Sequence, residues 1–270
     1  MTFDDLSARG LVLLGCGKMG SAMLAGWLAQ GVDASSVWIV DPNPSDWLRG
    51  IAGLRLNQTL PDRPALVVIA VKPQMMQDAL PSLHAFGNGE TIFLSVAAGV
   101  PIAQYEAMLG DRTPILRAMP NTPAAISKGI TALIGNAAAD ASAVNLAEAL
   151  LGAVGQVVRL DHEGQMDAVT AVSGSGPAYV FHMIEAMAAA GEAEGLPADL
   201  AMALAKATVS GAGQLAEPAD ADPAQLRINV TSPGGTTAAA LAVLMAEGGL
   251  GSVMSDAIRA AAARSRELGS

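Results

Sequence analysis

The sequence predicts an α/β fold with a mainly parallel sheet over residues 1–162, followed by an all-α region over residues 163–270. Three observations predict it. Short apolar runs alternate with helical patterns in the first half, a glycine-rich turn joins the first run to the first helix, and strand-like runs give way to long Ala/Leu/Met-rich segments from about Gly164 onward.

In chain order, Leu11 to Leu14, Val37 to Val40, Leu66 to Val71, Thr91 to Ser95 and Pro114 to Ala118 read as buried strands. Between the first two lies a helix from Met19 to Gln30, with Met23, Leu24, Trp27 and Leu28 on one face and Gly31 as its stop. Strand, helix and strand with short joints form a βαβ unit, and several in succession make a parallel sheet. Ile130 to Ile134 and Val157 to Leu160 extend it. In the second half, Met166 to Glu194 is helical but interrupted at Ser173 to Pro177, and Asp199 to Glu217, Thr237 to Glu247 and Ser252 to Leu268 supply three further helices. Their apolar content exceeds the needs of one small bundle, which predicts packing against another subunit.

Hydrophobic residues make up 51% of the 270 residues and charged ones 15%, a balance that excludes disorder. The net charge of -10 argues against nucleic acid or an anionic membrane as the main partner. A single cysteine, Cys16, rules out an intrachain disulfide and fits a cytoplasmic location. His84, His162 and His182 are scattered without metal-ligand spacing, so no metal is expected. The start, Met1 to Arg9, lacks the basic-then-apolar order of a signal peptide. No apolar run spans a membrane either: Ala238 to Ala246 is too short, and Ala168 to Ile184 is broken by Gly174, Gly176 and Pro177.

Five motifs carry chemistry. The first, Gly15-Cys16-Gly17-Lys18-Met19-Gly20, stands between the first strand and first helix, where a dinucleotide-binding (Rossmann) loop belongs. Gly15 permits the tight turn, Gly17 lets backbone approach a pyrophosphate, Gly20 allows close helix packing, and the helix N-terminus offers N–H groups to the anion. The second is Asp41, which ends the second strand just before Pro42 and Asn43. An acid here accepts from the adenosine ribose hydroxyls and repels a 2′-phosphate, which tilts the cofactor toward NADH; a plain Asp-Pro turn former is the other reading.

The third is Ala70-Val71-Lys72-Pro73, at a strand end on the edge that lines the ligand crevice. Lys72 meets either a cofactor phosphate or ribose, or only solvent. Ser95 to Val100 and Arg117 to Pro123 end the next two strands in the same way, and their small residues and prolines suit a flat ring as well as an ordinary loop. The fourth, Ser232 to Thr237, opens a helix with two glycines and two threonines, which fits a small carboxylate site and also a simple N-cap. The fifth, Ser173 to Pro177, is either a substrate element or a point of close packing with a proline kink.

Taken in order, GCGKMG, AVKPQMM, SVAAGV, RAMPNTPA, AVSGSGPAYVF and SPGGTT resemble the pyrroline-5-carboxylate reductase family over nearly the whole chain. The last three are specific to it in combination. The resemblance implies reduction of Δ1-pyrroline-5-carboxylate to L-proline, the last step of proline biosynthesis, by NADPH or NADH. It also implies a C-terminal helical domain that forms homodimers, often built into rings. By position it places cofactor contacts at Gly15, Cys16, Gly17, Lys18, Met19, Gly20, Ala70, Val71, Lys72 and Pro73, to which the end of the second strand adds Asp41 and Asn43 as candidates. It puts Ala97, Ala98, Gly99, Met119, Pro120 and Asn121 beside the nicotinamide. Substrate contacts fall at Val230, Ser232, Gly234, Gly235, Thr236 and Thr237, with Thr237 hydrogen-bonding the imine nitrogen in the catalytic role. Asp41 departs from many relatives, which carry a neutral or basic residue there and favour NADPH. Two rival readings remain at this point. A β-hydroxyacid dehydrogenase places a catalytic lysine soon after a comparable glycine-rich helix start, whereas here no lysine follows Gly176 before Lys206. A non-catalytic dinucleotide sensor is expected to lose the polar segment of its second domain, yet Ser232 to Thr237 is intact.

Overall fold

A computed structural model describes residues 3–217 and 222–269. It contains one eight-stranded sheet, formed by β1 (Leu11–Leu14), β2 (Val37–Val40), β3 (Arg55–Leu56), β4 (Leu66–Ile69), β5 (Ile92–Ser95), β6 (Ile115–Met119), β7 (Gly129–Gly135) and β8 (Gly155–Arg159). The order across the sheet is β3-β2-β1-β4-β5-β6-β7-β8. Every neighbouring pair is parallel except β6 with β7.

Both faces of the sheet are covered, which is why its strands read as unbroken apolar runs rather than alternating ones. Leu11, Leu13, Leu66, Val68, Ile92 and Leu94 point into one core, shared with Met23, Leu24 and Trp27 of α2 (Lys18–Ala29) and Leu146 and Leu150 of α6 (Ala141–Leu151). The intervening residues Val12, Leu14, Val67, Ile69 and Phe93 point into a second core with Leu80, Leu83 and Tyr105 and Leu109 of α5 (Ile102–Leu109). The Trp27 indole N–H, buried between layers, donates to the Leu150 carbonyl at 2.9 Å and so ties α2 to α6.

The remaining helices of the first part are α1 (Phe3–Arg9), α3 (Asp46–Arg49) and α4 (Met76–Ala79), followed by α7 (Met166–Val169). After α7 the chain passes through one π-helical stretch, Thr170–Gly174. That stretch overlaps the predicted interruption at Ser173 to Pro177 in Ser173 and Gly174, and its Thr170 and Ser173 hydroxyls donate to the Met166 and Val169 carbonyls. Pro177 lies in the first turn of α8 (Gly176–Ala193), where a missing N–H is tolerated, so it opens a helix rather than kinking one. Then come α9 (Ala198–Ala216), α10 (Pro223–Asn229), α11 (Thr236–Leu244) and α12 (Leu250–Leu268).

By packing, the chain forms two compact units, one of residues 1–174 and 262–270 and one of residues 175–261. Thus the segment from residue 163 to Gly174 and the last two turns of α12 pack with the sheet, although the sequence groups them with the helical region. The sequence patterns single out neither β3 nor the helices α1, α3, α4, α5, α6 and α10. β3 has two residues and α1, α3, α4, α5 and α10 have eight or fewer, short of the stretch over which periodicity stands out.

Candidate active site

The parallel strands β1, β2, β4, β5 and β6 all end on one edge of the sheet, and the order reverses between β1 and β4. That switch point opens the crevice in which such sheets bind ligands. The loop after β1 is built for it. Gly15 has φ +86°, and a Cβ there would stand 2.8 Å from Val71 Cγ1 and 2.9 Å from the Ala70 carbonyl oxygen. A Cβ on Gly20 would lie 2.5 Å from the Gly15 carbonyl oxygen, so no side chain fits there either. At Gly17 the same test meets nothing within 4 Å. Gly17 is the N-cap of α2, and no side chain caps that helix end. Bare backbone, open space and the uncapped end of a twelve-residue helix fit a pyrophosphate.

Asp41, at the end of β2, is bound into this loop. One carboxylate oxygen accepts the Cys16 N–H at 2.7 Å and the other accepts the Asn43 N–H at 2.8 Å. Asn57 brackets the same residue, its amide donating to the Asp41 carbonyl and its side-chain oxygen accepting the Asp41 N–H. Asn57 holds φ 50°, a left-handed conformation that Asn tolerates better than most residues. No motif marks this partner, which sits sixteen positions away just after β3. Asp41 is therefore a brace of the glycine loop. Cys16 is buried, its thiol beside the Ser21 hydroxyl, and burial pushes its pKa up, so the thiolate is disfavoured. Lys18 is exposed, and Met19 packs against the core from a half-buried position.

The other edge loops stand in the order the sheet dictates. Ala70 to Pro73 follow β4, with Lys72 exposed and capping the short turn Pro73–Met75. After β5 come Ala97, buried, Ala98, half-buried, and Gly99, at φ +78°. Met119 ends β6 and Pro120 and Asn121 follow it; the Asn121 side-chain oxygen accepts the Ile130 N–H at 3.0 Å, which commits that oxygen to β7.

A buried polar network supports the loop after β5. Ser95 and Tyr105 share a 2.5 Å hydroxyl–hydroxyl contact, and Ser95 also accepts the Ala97 N–H. Burial outweighs this hydrogen bond and pushes the Tyr105 pKa up to about 12. Arg117, also buried, donates to Glu163 at 2.6 Å, and the same oxygen accepts the Ile102 N–H at the start of α5. No motif marks Glu163; its role follows from a fold that brings it 61 positions back onto α5.

In the second unit, Ser232 to Gly235 close a turn, the Gly235 N–H donating to the Ser232 carbonyl at 3.1 Å, with Gly234 at φ +67°. Gly235 is the N-cap of α11, again with no side-chain cap. Thr236 and Thr237 occupy the first two helical positions, and Val230, Ser232, Gly234, Thr236 and Thr237 are exposed. The helix starts one residue before the sequence suggested. Its mouth therefore presents N–H groups and two hydroxyls together, as a small carboxylate requires.

Residues 163–268 match the family model described as pyrroline-5-carboxylate reductase dimerisation, and residues 11–99 match NADP oxidoreductase coenzyme F420-dependent. The pyrroline-5-carboxylate reductase of Pseudomonas aeruginosa is 40% identical over 97% of this chain and 98% of its own length. That of Synechocystis is 41% identical over 96% of this chain and 98% of its own. Among solved structures, a pyrroline-5-carboxylate reductase from Coxiella burnetii superposes with a TM-score of 0.89 at 35% identity, covering 97% of this chain and 99% of that one. The Plasmodium falciparum pyrroline carboxylate reductase with NADP bound gives 0.84 at 27% identity, covering 98% and 99%. With relatives this similar along nearly its whole length, the chain belongs to the pyrroline-5-carboxylate reductase family.

Proposed function

We propose that the chain reduces Δ1-pyrroline-5-carboxylate to L-proline with NADPH or NADH, the closing step of proline biosynthesis. The observation that carries this reading is the uncapped Gly234–Thr237 helix mouth, in a family member whose Gly15–Gly20 loop also has the backbone shape for a dinucleotide.

In this reading the Gly15–Gly20 loop and the first turn of α2 hold the pyrophosphate, Asp41 and Asn43 face the adenosine ribose, and Ala70 to Pro73 line the path beyond. Ala97 to Gly99 and Met119 to Asn121 flank the nicotinamide. When bound, the reduced cofactor would supply a hydride to the carbon of the C=N bond, C2 of the pyrroline ring, which becomes C5 of proline. The N–H groups of Gly235 to Thr237 bind the substrate carboxylate, and the Thr237 hydroxyl orients the imine nitrogen. That nitrogen takes its proton from solvent, so addition of hydride and proton gives the secondary amine. Positioning then supplies most of the acceleration, because neither a nucleophile nor a new covalent bond to the protein is needed. Asp41 repels a 2′-phosphate, which favours NADH over NADPH.

We further propose that the helical region pairs two copies, alone or within a ring of dimers, in a cytoplasmic enzyme. The dimerisation model over residues 163–268 and the exposed Phe181, Leu204, Val243 and Met245 support the pairing. Among the described residues no helix is long and apolar enough to cross a membrane. Steady-state rates with pyrroline-5-carboxylate and each reduced cofactor, together with proline-dependent reduction of NAD(P)+ at high pH, test the activity. Saturable turnover in both directions is expected; turnover of hydroxy acids in preference to the imine would overturn it.

A further inference from the structure

The two loops assigned to the nicotinamide are both backed by residues that lie late in the chain. At the first loop, a Cβ on Gly99 would stand 3.3 Å from Leu268 Cβ, and one on Gly269 would stand 2.8 Å from the Gly99 carbonyl oxygen. The end of α12 thus lies directly on Gly99. At the second loop, a Cβ on Gly174 would come within 2.6 Å of Met119 Cε, so the Met119 side chain rests on bare backbone at the end of the π-helical stretch. These two supports are themselves joined. Ser265, only 5% exposed, donates its hydroxyl to Asp167 Oδ1 at 2.6 Å across 98 positions of sequence. Asp167 lies in α7, immediately before the stretch that carries Gly174, and Ser265 lies one turn before Leu268.

We propose that the Ser265–Asp167 hydrogen bond is a latch that fixes the spacing of the Gly99 and Met119 loops, making both residues positioning residues for hydride transfer. The inference rests on the assignment of those loops to the nicotinamide. A charge-assisted hydrogen bond from a buried hydroxyl holds two elements in one register. Loss of it lets α12 and the π-helical stretch drift apart, and the loops that lean on them follow. Hydride transfer is steep in distance, so a shift well under 1 Å is felt in rate before it is felt in folding.

The test uses the full chain. Ser265→Ala is expected to lower kcat about tenfold and to raise the primary isotope effect with cofactor deuterated at nicotinamide C4, because hydride transfer becomes more fully rate-limiting. Its Kd for ADP-ribose, which lacks the nicotinamide, is expected to stay within about twofold. Asp167→Ala, at a half-buried site, is expected to reproduce the defect, and Asp167→Asn, which keeps an accepting oxygen, to recover most of the rate. If kcat and the isotope effect of Ser265→Ala and Asp167→Ala both match the unmodified protein, the latch is refuted. Loss of ADP-ribose binding in step with kcat marks general loosening and refutes it equally. Met119→Ala separates the two layers of the argument. A rate defect there with none in the latch variants sinks the latch alone, whereas no defect in Met119→Ala removes the loop assignment and the latch with it.

Discussion

The two compact units bury themselves to very different degrees. In the first, all of β1 and β4, most of the adjoining strands and the inner faces of α2, α5 and α6 are sealed, with Trp27, Phe93 and Tyr105 fully enclosed. In the second, the fully buried apolar residues among those described are three alanines, Ala188, Ala201 and Ala205. Phe181 is 60% exposed, Leu204 49% and Val243 72%. A sheet covered on both sides completes its own core. A run of helices with apolar residues around most of its circumference does not, and its missing surface has to come from elsewhere. The first unit therefore closes its core within one chain, whereas the second leaves open the apolar surface that the proposed pairing would cover.

Stability measurements break or sharpen that contrast most strongly. Trp27→Ala removes the largest enclosed side chain and its hydrogen bond to Leu150, and is expected to cost about 3–5 kcal/mol with a denaturation midpoint independent of protein concentration. Phe181→Asp, in the second unit, is expected instead to shift the sedimenting species toward monomer and to make the thermal midpoint depend on concentration. Identical responses of the two variants would abolish the distinction.

A smaller effect comes from pH. Tyr105 is held neutral by burial, with its pKa raised from 10 to about 12, so the folded chain keeps a proton that the unfolded chain releases. Its contribution is intact below pH 10 and is lost as pH rises from 10 through about 12, to the extent of roughly 2–3 kcal/mol. Urea midpoints over that range are expected to fall more steeply for the unmodified protein than for Tyr105→Phe, and parallel curves would contradict the assignment.

Kinetic partition between the units is smaller again. Thr237→Ala is expected to lower kcat/KM for the imine about tenfold, near 1.4 kcal/mol, with little change in cofactor KM. A ratio within about twofold of the unmodified protein would remove Thr237 from the reaction. The smallest change is expected for Asp41→Ala, a few-fold loss of NADH preference over NADPH, read as the ratio of the two kcat/KM values. Because Asp41 also holds the Cys16 and Asn43 N–H groups, both cofactor KM values are expected to rise together with that change in ratio.

The same contrast explains what could be read from the sequence. Strands such as Leu66–Ile69 are buried on both faces and announce themselves as apolar runs, and Gly15 and Gly20 are dictated by contacts within a few residues or with a neighbouring strand. The Ser232–Thr237 mouth was legible because turn, cap and hydroxyls are contiguous. Glu163, Asn57, Asp167 and Ser265 were not. Each acts through a partner brought near by tertiary folding, and a lone Glu, Asn, Asp or Ser in a polar or helical stretch carries no local signature. The division between units was also hidden at its edges, because the helical composition begins near residue 163 while packing changes sides after Gly174 and again at Ala262.

Cys16 gives the molecule a built-in reporter. It is the single thiol in the chain, it is enclosed inside the Gly15–Gly20 loop, and burial raises its pKa and so disfavours the reactive thiolate. A thiol reagent can reach it only when that loop opens, so the rate of labelling counts excursions of the glycine turn, and ligands that quiet the turn slow the count.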